Sequence, residues 1–533
     1  APIDPATGLP AVTVAVATNG GVSVITDAGD VWDITGQYAA TANISFTDNN
    51  QILATEQYSS YAGLYNIPAS NVSYTTRLIE YSAVSIPTLA GGGHWIDALE
   101  GSGPSTAIAN INGLFLFDDD TTTPANGMVA YITSSYNTGW MNGDIKLATL
   151  SDTDATNVTG AELVTNGTFA TDTTGWTAAN SSIAAVGGRL QVTANSGGVG
   201  YASQLFTTVV GKSYTVSVEF ISSTGSNRYI YLGSNLHGVN LPGLSNAQVV
   251  VGVNTITFIA TGTSTSISCA TYNSQVALFD NVSVRLAEED RSVNGNGLIV
   301  NGTITKTAVA TGADLVAYSG FSASNYLEQP YNADLNFGTG DFCVMGWFKQ
   351  PATAISAYIF NRRPIASGVN TIEVRTLSTG ATRFYVADGT PVASYVDSAV
   401  VGTSNWHQIV CTRVSNTMSI YIDGAYNVAT ANSNGTARSV TNTSSLTWLS
   451  GEKGTGSPFT GGSLALWRIS ATAPSAEQIA KIYNDEKHLF QDGAQATLYG
   501  ASDAVTALAY DDATDLLHVG TSQGRSVFQG LRR

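Results

Sequence analysis

The eight residues at positions 341–348, DFCVMGWF, open on one acid and then run apolar or small to their end. In an extended chain Phe342, Val344, Gly346 and Phe348 point one way and Cys343, Met345 and Trp347 the other, because strand side chains alternate. Neither set is polar, so this strand is buried on both faces, as a strand inside a packed sandwich is. The same reading extends outward. Residues 406–413 (WHQIVCTR), 419–427 (SIYIDGAYN) and 461–470 (GGSLALWRIS) are further strands, and Asp423-Gly424 forms a two-residue hairpin turn between alternating segments. Trp347, Trp406 and Trp467 read as core residues and His407 as a strand histidine. A single helix follows: Pro474, Ser475 and Glu477 open it, Ile479, Ile482 and Tyr483 give it an apolar stripe, and residues 484–487 close it.

Together with 326–348 (YLEQPYNADLNFGTGDFCVMGWF), these segments resemble laminin-G-like or concanavalin-A-like jelly rolls. The resemblance assigns residues 287–491 to one such domain and also implies the short terminal helix.

The rest of the chain is all-β by composition. Of 533 residues only 11% are charged while 43% are hydrophobic and 54 are glycine, which excludes both a disordered chain and a helical bundle. The formal charge of -17 is uneven: residues 1–155 contain 15 acids but only Arg77 and Lys146 as bases. Phosphate binding needs clustered Lys and Arg, so no nucleic-acid partner is expected there. No run of 18 apolar residues occurs, so no membrane span is expected. Three cysteines (Cys269, Cys343, Cys411) make no disulfide framework; a bridge between Cys343 and Cys411 would require them on facing strands. The opening residues Ala-Pro-Ile-Asp-Pro read as linker, so the chain is expected to start inside a longer or processed polypeptide.

Near the N-terminus, Val12, Val14 and Val16 alternate up to a turn at Asn19-Gly20-Gly21, and Val22 and Val24 resume the pattern. The next hairpin holds Asp27, Gly29 and Trp32 at the spacing D-x-G-x-x-W, and resembles the Asp-box hairpin of β-propeller blades, in which the Asp caps a turn and the Trp packs between blades. Residues 504–528 again read strand, turn, strand, turn, strand and resemble a blade. The chain is therefore expected to be a β-propeller-like body, residues 1–155 and 492–533, interrupted by two inserted jelly-roll β-sandwiches.

The first insert, residues 156–286, has "LVTNGTF" from Leu163, Gly175-Trp176 and a closing "ALFDNVSV" over 277–284. It resembles carbohydrate-binding-module-like sandwiches. In "SYTVSVEF", Tyr214, Val216, Val218 and Phe220 form the core face, with Thr215, Ser217 and Glu219 opposite. In "RYIYL", Ile230 joins the core set, leaving Tyr229 and Tyr231 with the polar face. Tyr229, Tyr231, Thr215, Ser217 and Glu219 are thus expected to form one sugar-binding platform, with rings stacking on apolar sugar faces and polar groups bonding hydroxyls. The competing reading packs the tyrosines under a loop or against a neighbouring domain. The resemblance also implies a structural calcium between first and last strands, held by Asp280 and the backbone of 166–168.

Catalytic sets are hard to assemble. His94, Trp95, Asp97 and Glu100 lie close in sequence, but a solvated loop explains them better because no second carboxylate or nucleophile lies at a diagnostic spacing. Asp118, Asp119 and Asp120 lack the alternating oxygens and Gly of a calcium loop and read as a solvated turn. A sialidase-type propeller needs an arginine triad for a carboxylate, and residues 1–155 offer only Arg77.

The turn-rich wording of 126–154 and 290–302 resembles virion-associated phage proteins. The resemblance implies a tail or tail-fibre protein in the virion or extracellular space. Its partners would be other virion proteins and a host cell-surface glycan or receptor, and a homo-oligomer, first of all a trimer, is expected. The alternatives are a secreted glycan-active enzyme and a purely structural capsid or tail decoration protein.

Overall fold

A computed structural model describes residues 12–35, 41–46, 51–56, 61–82, 97–100, 105–120, 122–123, 126–241, 247–364, 370–388, 394–431, 438–442, 445–451, 457–511 and 513–533. The described chain is all-β, with one α-helix, Ala476–Glu486, and short 3-10 turns.

Four small antiparallel sheets hold the two ends of the chain. The first joins Val14–Thr18, Gly21–Ile25 and Val31–Thr35, with Val72–Ser73 added in parallel. Its opening turn is Asn19-Gly20, as the sequence indicates. The following turn departs from expectation: the Thr26 hydroxyl accepts from the Asp30 N–H at 3.2 Å, while Asp27 is exposed. The second sheet contains Thr41–Phe46, Gln51–Glu56, Tyr61–Asn66 and Ile79–Ser82. The third runs from Asp97–Glu100 through Ser105–Asn110, Gly113–Asp118 and Met128–Ile132 to Met141–Asn142. Val505–Asp511, Leu516–Thr521 and Gly524–Phe528 form the fourth.

These sheets stack in series. Val24, Ile34 and Ile52 bury the contact between the first and second, and Leu53, Leu64, Ile108 and Phe115 that between the second and third. Leu114 and Leu116 of the third meet Leu508, Val519 and Phe528 of the fourth. Residues 359 and 394 positions apart in sequence are therefore neighbours: the Asn137 amide donates to the carbonyls of Ala496 and Leu531, at 2.8 and 3.0 Å.

The 287–491 domain is a sandwich of two sheets. One is built on Ser463–Ser470, Phe342–Lys349, Trp406–Val414, Thr417–Ile422 and Ala425–Ala431. The other follows Leu298–Ala308, Tyr326–Gln329, Ser445–Leu449, Ala357–Pro364, Thr371–Thr376, Thr382–Ala387 and Ser394–Asp397. Phe342, Val344 and Phe348 face the core between them. Cys343, Met345 and Trp347 face away, onto Ile479 and Ile482 of the helix. Both faces of the strand are buried, as its alternation requires. The helix starts at Ser475, whose side chain caps Gln478 while Gln478 returns the bond, a complete capping box.

The register also decides the cysteines. Val344 sits opposite Cys411, so the Cys343 and Cys411 side chains leave their adjacent strands on opposite faces, and both thiols are free.

The domain borrows strands from outside residues 287–491. Ile145–Thr149 pairs with Ser463–Ser470, and Val158–Gly160 pairs with Leu298–Ala308. Residues between 160 and 298 leave and re-enter through these strands, so the middle sandwich is an insertion in the sheets of the 287–491 domain. It has two five-stranded sheets. The first orders Thr177–Ala179, Val199–Thr207, Ser264–Tyr272, Arg228–Gly233 and Ala247–Gln248; the second orders Ser181–Ala185, Leu190–Ala194, Val276–Glu288, Ser213–Ser223 and Gly252–Ile259.

Candidate functional site

The core of the inserted sandwich places its outer faces. Val216, Val218 and Phe220 on one sheet and Ile230, Leu232 and Ile267 on the other are buried between the sheets. Alternation then turns Tyr229 and Tyr231 outward on the first sheet, and Thr215, Ser217 and Glu219 outward on the second. The expected single platform is thus two surfaces on opposite sides of the sandwich. The sequence gives the side of each strand relative to the core, but only strand pairing tells which sheet a strand joins.

The second surface is committed to structure. Thr215 is buried and its hydroxyl meets that of Thr257 at 3.0 Å, beneath Gly297 of the connection to the 287–491 domain. Glu219 accepts from the Asn281 amide at 2.7 Å. Asp280, the expected calcium ligand, accepts the N–H of Asn281 at 2.7 Å. The backbone of Gly167 does run alongside, accepting from Val282 N–H at 2.9 Å. Among the described residues no three Asp, Glu, His or Cys side chains gather there, so a calcium ion at Asp280 would depend on backbone oxygens for its remaining ligands.

The first surface is an aromatic strip. Tyr201 and Tyr229 lie in one cross-strand row on either side of Ala270, and Tyr231 is opposite Ser268 in the next. Ring centroids are 5.7 Å apart for Tyr229–Tyr231, 5.8 Å for Tyr201–Tyr231 and 5.6 Å for Tyr229–Tyr272. Tyr231 is only 2% exposed, so it supports the strip from beneath, while Tyr201, Tyr229 and Tyr272 keep part of their surfaces in solvent. Burial pushes the Tyr231 hydroxyl far above the usual tyrosine range, helped by a hydrogen bond with Tyr272, and burial also raises Tyr201.

His237 closes one end, 6.0 Å from the Tyr201 ring, with its Nδ1 2.7 Å from Ser203 Oγ; burial lowers its pKa and favours the neutral ring. Rigid rings beside hydroxyl and imidazole groups can stack on a sugar and bond its hydroxyls. Tyr201 and Tyr272 were legible as outward positions in "VGYASQLF" and "STSISCATY", but nothing in the sequence joined them to Tyr229.

A second polar surface, absent from the sequence reading, lies on the outer face of the 287–491 domain. Asn361, Glu373 and Tyr385 are paired across three strands there. Asn361 is fully buried with neither amide atom partnered among the described residues, and Glu373 is 5% exposed. Burial raises the Glu373 carboxyl despite the opposing charges of Arg375, Arg363 and Arg383. Arg383 is itself clamped by Asp397 through bonds of 2.6 and 2.7 Å. Simple alternation in "TIEVRT" and "TRFYVA" would have found these positions.

The remaining candidates resolve as structural groups. Trp347 and Trp467 are buried, Trp406 donates its indole N–H to the Val309 carbonyl at 2.9 Å, and His407 Nδ1 lies 2.7 Å from Asp423. Asp120 caps a turn by accepting from Thr122 and Thr123, and Asp119 accepts from the Thr106 hydroxyl. His94 and Trp95 lie outside the described residues, and Asp97 and Glu100 are the ends of a strand.

Residues 321–480 match the family described as the concanavalin A-like lectin/glucanases superfamily. A comparison with curated proteins finds no match. Similar solved structures include the binding domain of Paraclostridial Mosquitocidal Protein 1, at 15% identity and a TM-score of 0.31, covering 37% of this chain and 49% of that one. Another is domain 4 of AbnA, a GH43 extracellular arabinanase from Geobacillus stearothermophilus, in complex with arabinotriose, at 15% identity and a TM-score of 0.28, covering 37% and 92%. The botulinum neurotoxin serotype D binding domain matches at 14% identity and a TM-score of 0.31, covering 46% and 60%. The chain thus spans about half the length of the first of these structures.

Proposed function

We propose that this chain is a non-catalytic adhesion protein whose inserted sandwich holds saccharide on the strip of Tyr201, Tyr229 and Tyr272. The observation that carries the reading is the strip itself: three partly exposed rings fixed over a buried fourth, beside Ser203 and His237. Such preorganised rings lose little freedom on binding. The lectin and glucanase family match of residues 321–480 supports a recognition role for the neighbouring domain. A glycosidase reading is weaker, because the buried Glu373 is surrounded by Arg375, Arg363 and Arg383, and Asp397 on the same sheet is already held by Arg383.

Within this reading the chain serves as a phage tail or tail-fibre component, with a propeller-like body presenting the two sandwiches to a host-surface glycan or receptor. The support is its low charge, its mosaic of β modules and its virion-like turn-rich segments. A glycan array probed with the full chain tests the binding; retention of neutral glycans that weakens about tenfold in Tyr229→Ala is expected, and an array without signal overturns it. Mass spectrometry of purified phage particles tests the location: stoichiometric presence is expected, and absence from particles refutes the tail assignment. Native mass spectrometry reads the copy number, with three expected.

A further inference from the structure

A cleft of about 850 Å³ lies where the third sheet, the end of the helix and the fourth sheet meet. Its apolar floor comes from Leu116, Leu517 and Phe528. Around that floor the charge inverts the balance of the chain, which has 39 acids to 22 bases: Lys481, Lys487, Arg532 and Arg533 line the cleft with only Asp485 and Asp515 as acids.

Two of these cations are already engaged. Lys481 pairs with Asp485 at 2.9 Å and lies over the Trp140 ring, and Arg533 approaches Asp314 at 3.6 Å. Lys487 donates to the neutral Asn484 amide oxygen, at 2.7 Å, and lies over the Tyr483 ring, and among the described residues neither Lys487 nor Arg532 forms an ion pair. The cleft therefore offers unneutralised positive charge. It also offers hydroxyl acceptors, the Asp485 and Asp515 carboxylates, and hydroxyl donors and acceptors in Asn484 and Gln529.

Positive charge, mixed hydroxyl-bonding groups and an apolar floor together suit one ligand chemistry, a polyhydroxylated anion with apolar ring faces. The volume is that of a site for a ligand of a few sugar rings. We infer that this cleft binds a carboxylated oligosaccharide, with Lys487 and Arg532 holding the carboxylate. The site is separate from the tyrosine strip, so either can fail without the other.

Isothermal titration of the full chain with trigalacturonate tests this, with maltotriose as neutral control. The expected result is trigalacturonate binding that weakens as salt rises from about 50 to 500 mM, and maltotriose binding at least tenfold weaker. Lys487→Gln with Arg532→Gln is expected to weaken trigalacturonate at least tenfold while Tyr229→Ala leaves it unchanged; both positions are partly exposed and the double variant's melting curve checks its fold. No trigalacturonate binding, equal binding of maltotriose, or loss in Tyr229→Ala without loss in the double variant would each overturn the inference.

Discussion

Arg468 and Glu486 form an ion pair with essentially no exposed surface, at 1% and 0% for the two side chains, where the lectin-like sheet meets the helix. The carboxylate also accepts the Trp347 indole N–H at 2.7 Å and the Trp140 backbone N–H at 2.9 Å, and Arg468 donates to the Trp140 carbonyl at 2.7 Å. A strand pair of the sandwich, the helix and the end of the third sheet thus converge on one charge pair. Its net worth is small because two ions left water to make it, but removing one partner strands the other.

Glu486→Ala is therefore expected to destabilise the chain by ~3–5 kcal/mol. Replacing both partners, Arg468→Met with Glu486→Leu, is expected to recover much of that loss. Urea unfolding followed by tryptophan fluorescence reads both, and a double variant no better than Glu486→Ala would count against the pairing.

Gly346 interrupts an otherwise large-residue strand because Trp467 lies against it: a Cβ there would sit 2.6 Å from the indole ring. Gly346→Val is expected to cost ~1–3 kcal/mol by overpacking and to lower the melting temperature. An unchanged melt would mean that the indole can move aside.

Asp290 joins the strand Ile145–Thr149 to the connection between the two sandwiches, accepting the N–H groups of Ala148, Ser292 and Asn296 at 2.9 Å each. Burial outweighs these bonds and pushes its carboxyl up to about 6 from an ordinary 3.8. The folded state then holds its proton more tightly than the unfolded state. This contribution is complete below about pH 4 and is lost as pH rises through about 6, amounting to ~3 kcal/mol. Denaturation at a series of pH values should show this fall in the native protein and its absence in Asp290→Asn.

On the tyrosine strip, Tyr229→Ala is expected to weaken glycan binding about tenfold, ~1.4 kcal/mol, by removing an exposed stacking ring. Glu219→Ala, on the opposite sheet, should leave affinity unchanged. Equal losses in both variants would place the ligand elsewhere.

Much of this architecture is legible in residue order. The alternation of 342–348 revealed a strand buried on both sides, Pro474, Ser475 and Glu477 marked the helix start, and the core face of 214–220 is as the sequence indicates. Alternation is a local property, set by the backbone, so it survives without any knowledge of neighbours. The site was legible only in halves. Tyr229 and Tyr231 do face outward, but Thr215, Ser217 and Glu219 face outward from the other sheet, since two strands with the same pattern can belong to either layer.

The sequence by itself determined an all-β chain, which residues of 214–220 and 342–348 enter a core, and the helix that Ser475 opens, because hydrophobic periodicity and capping act over a few residues. Only the tertiary structure decided which strands share a sheet and that Ile145–Thr149 serves the lectin-like domain. It alone gathered Tyr201, Tyr229, Tyr231 and Tyr272 into one strip, and brought Lys487 within one cleft of Arg532. These are pairings across tens to hundreds of residues, selected by how whole buried faces fit together, and no local pattern encodes that fit.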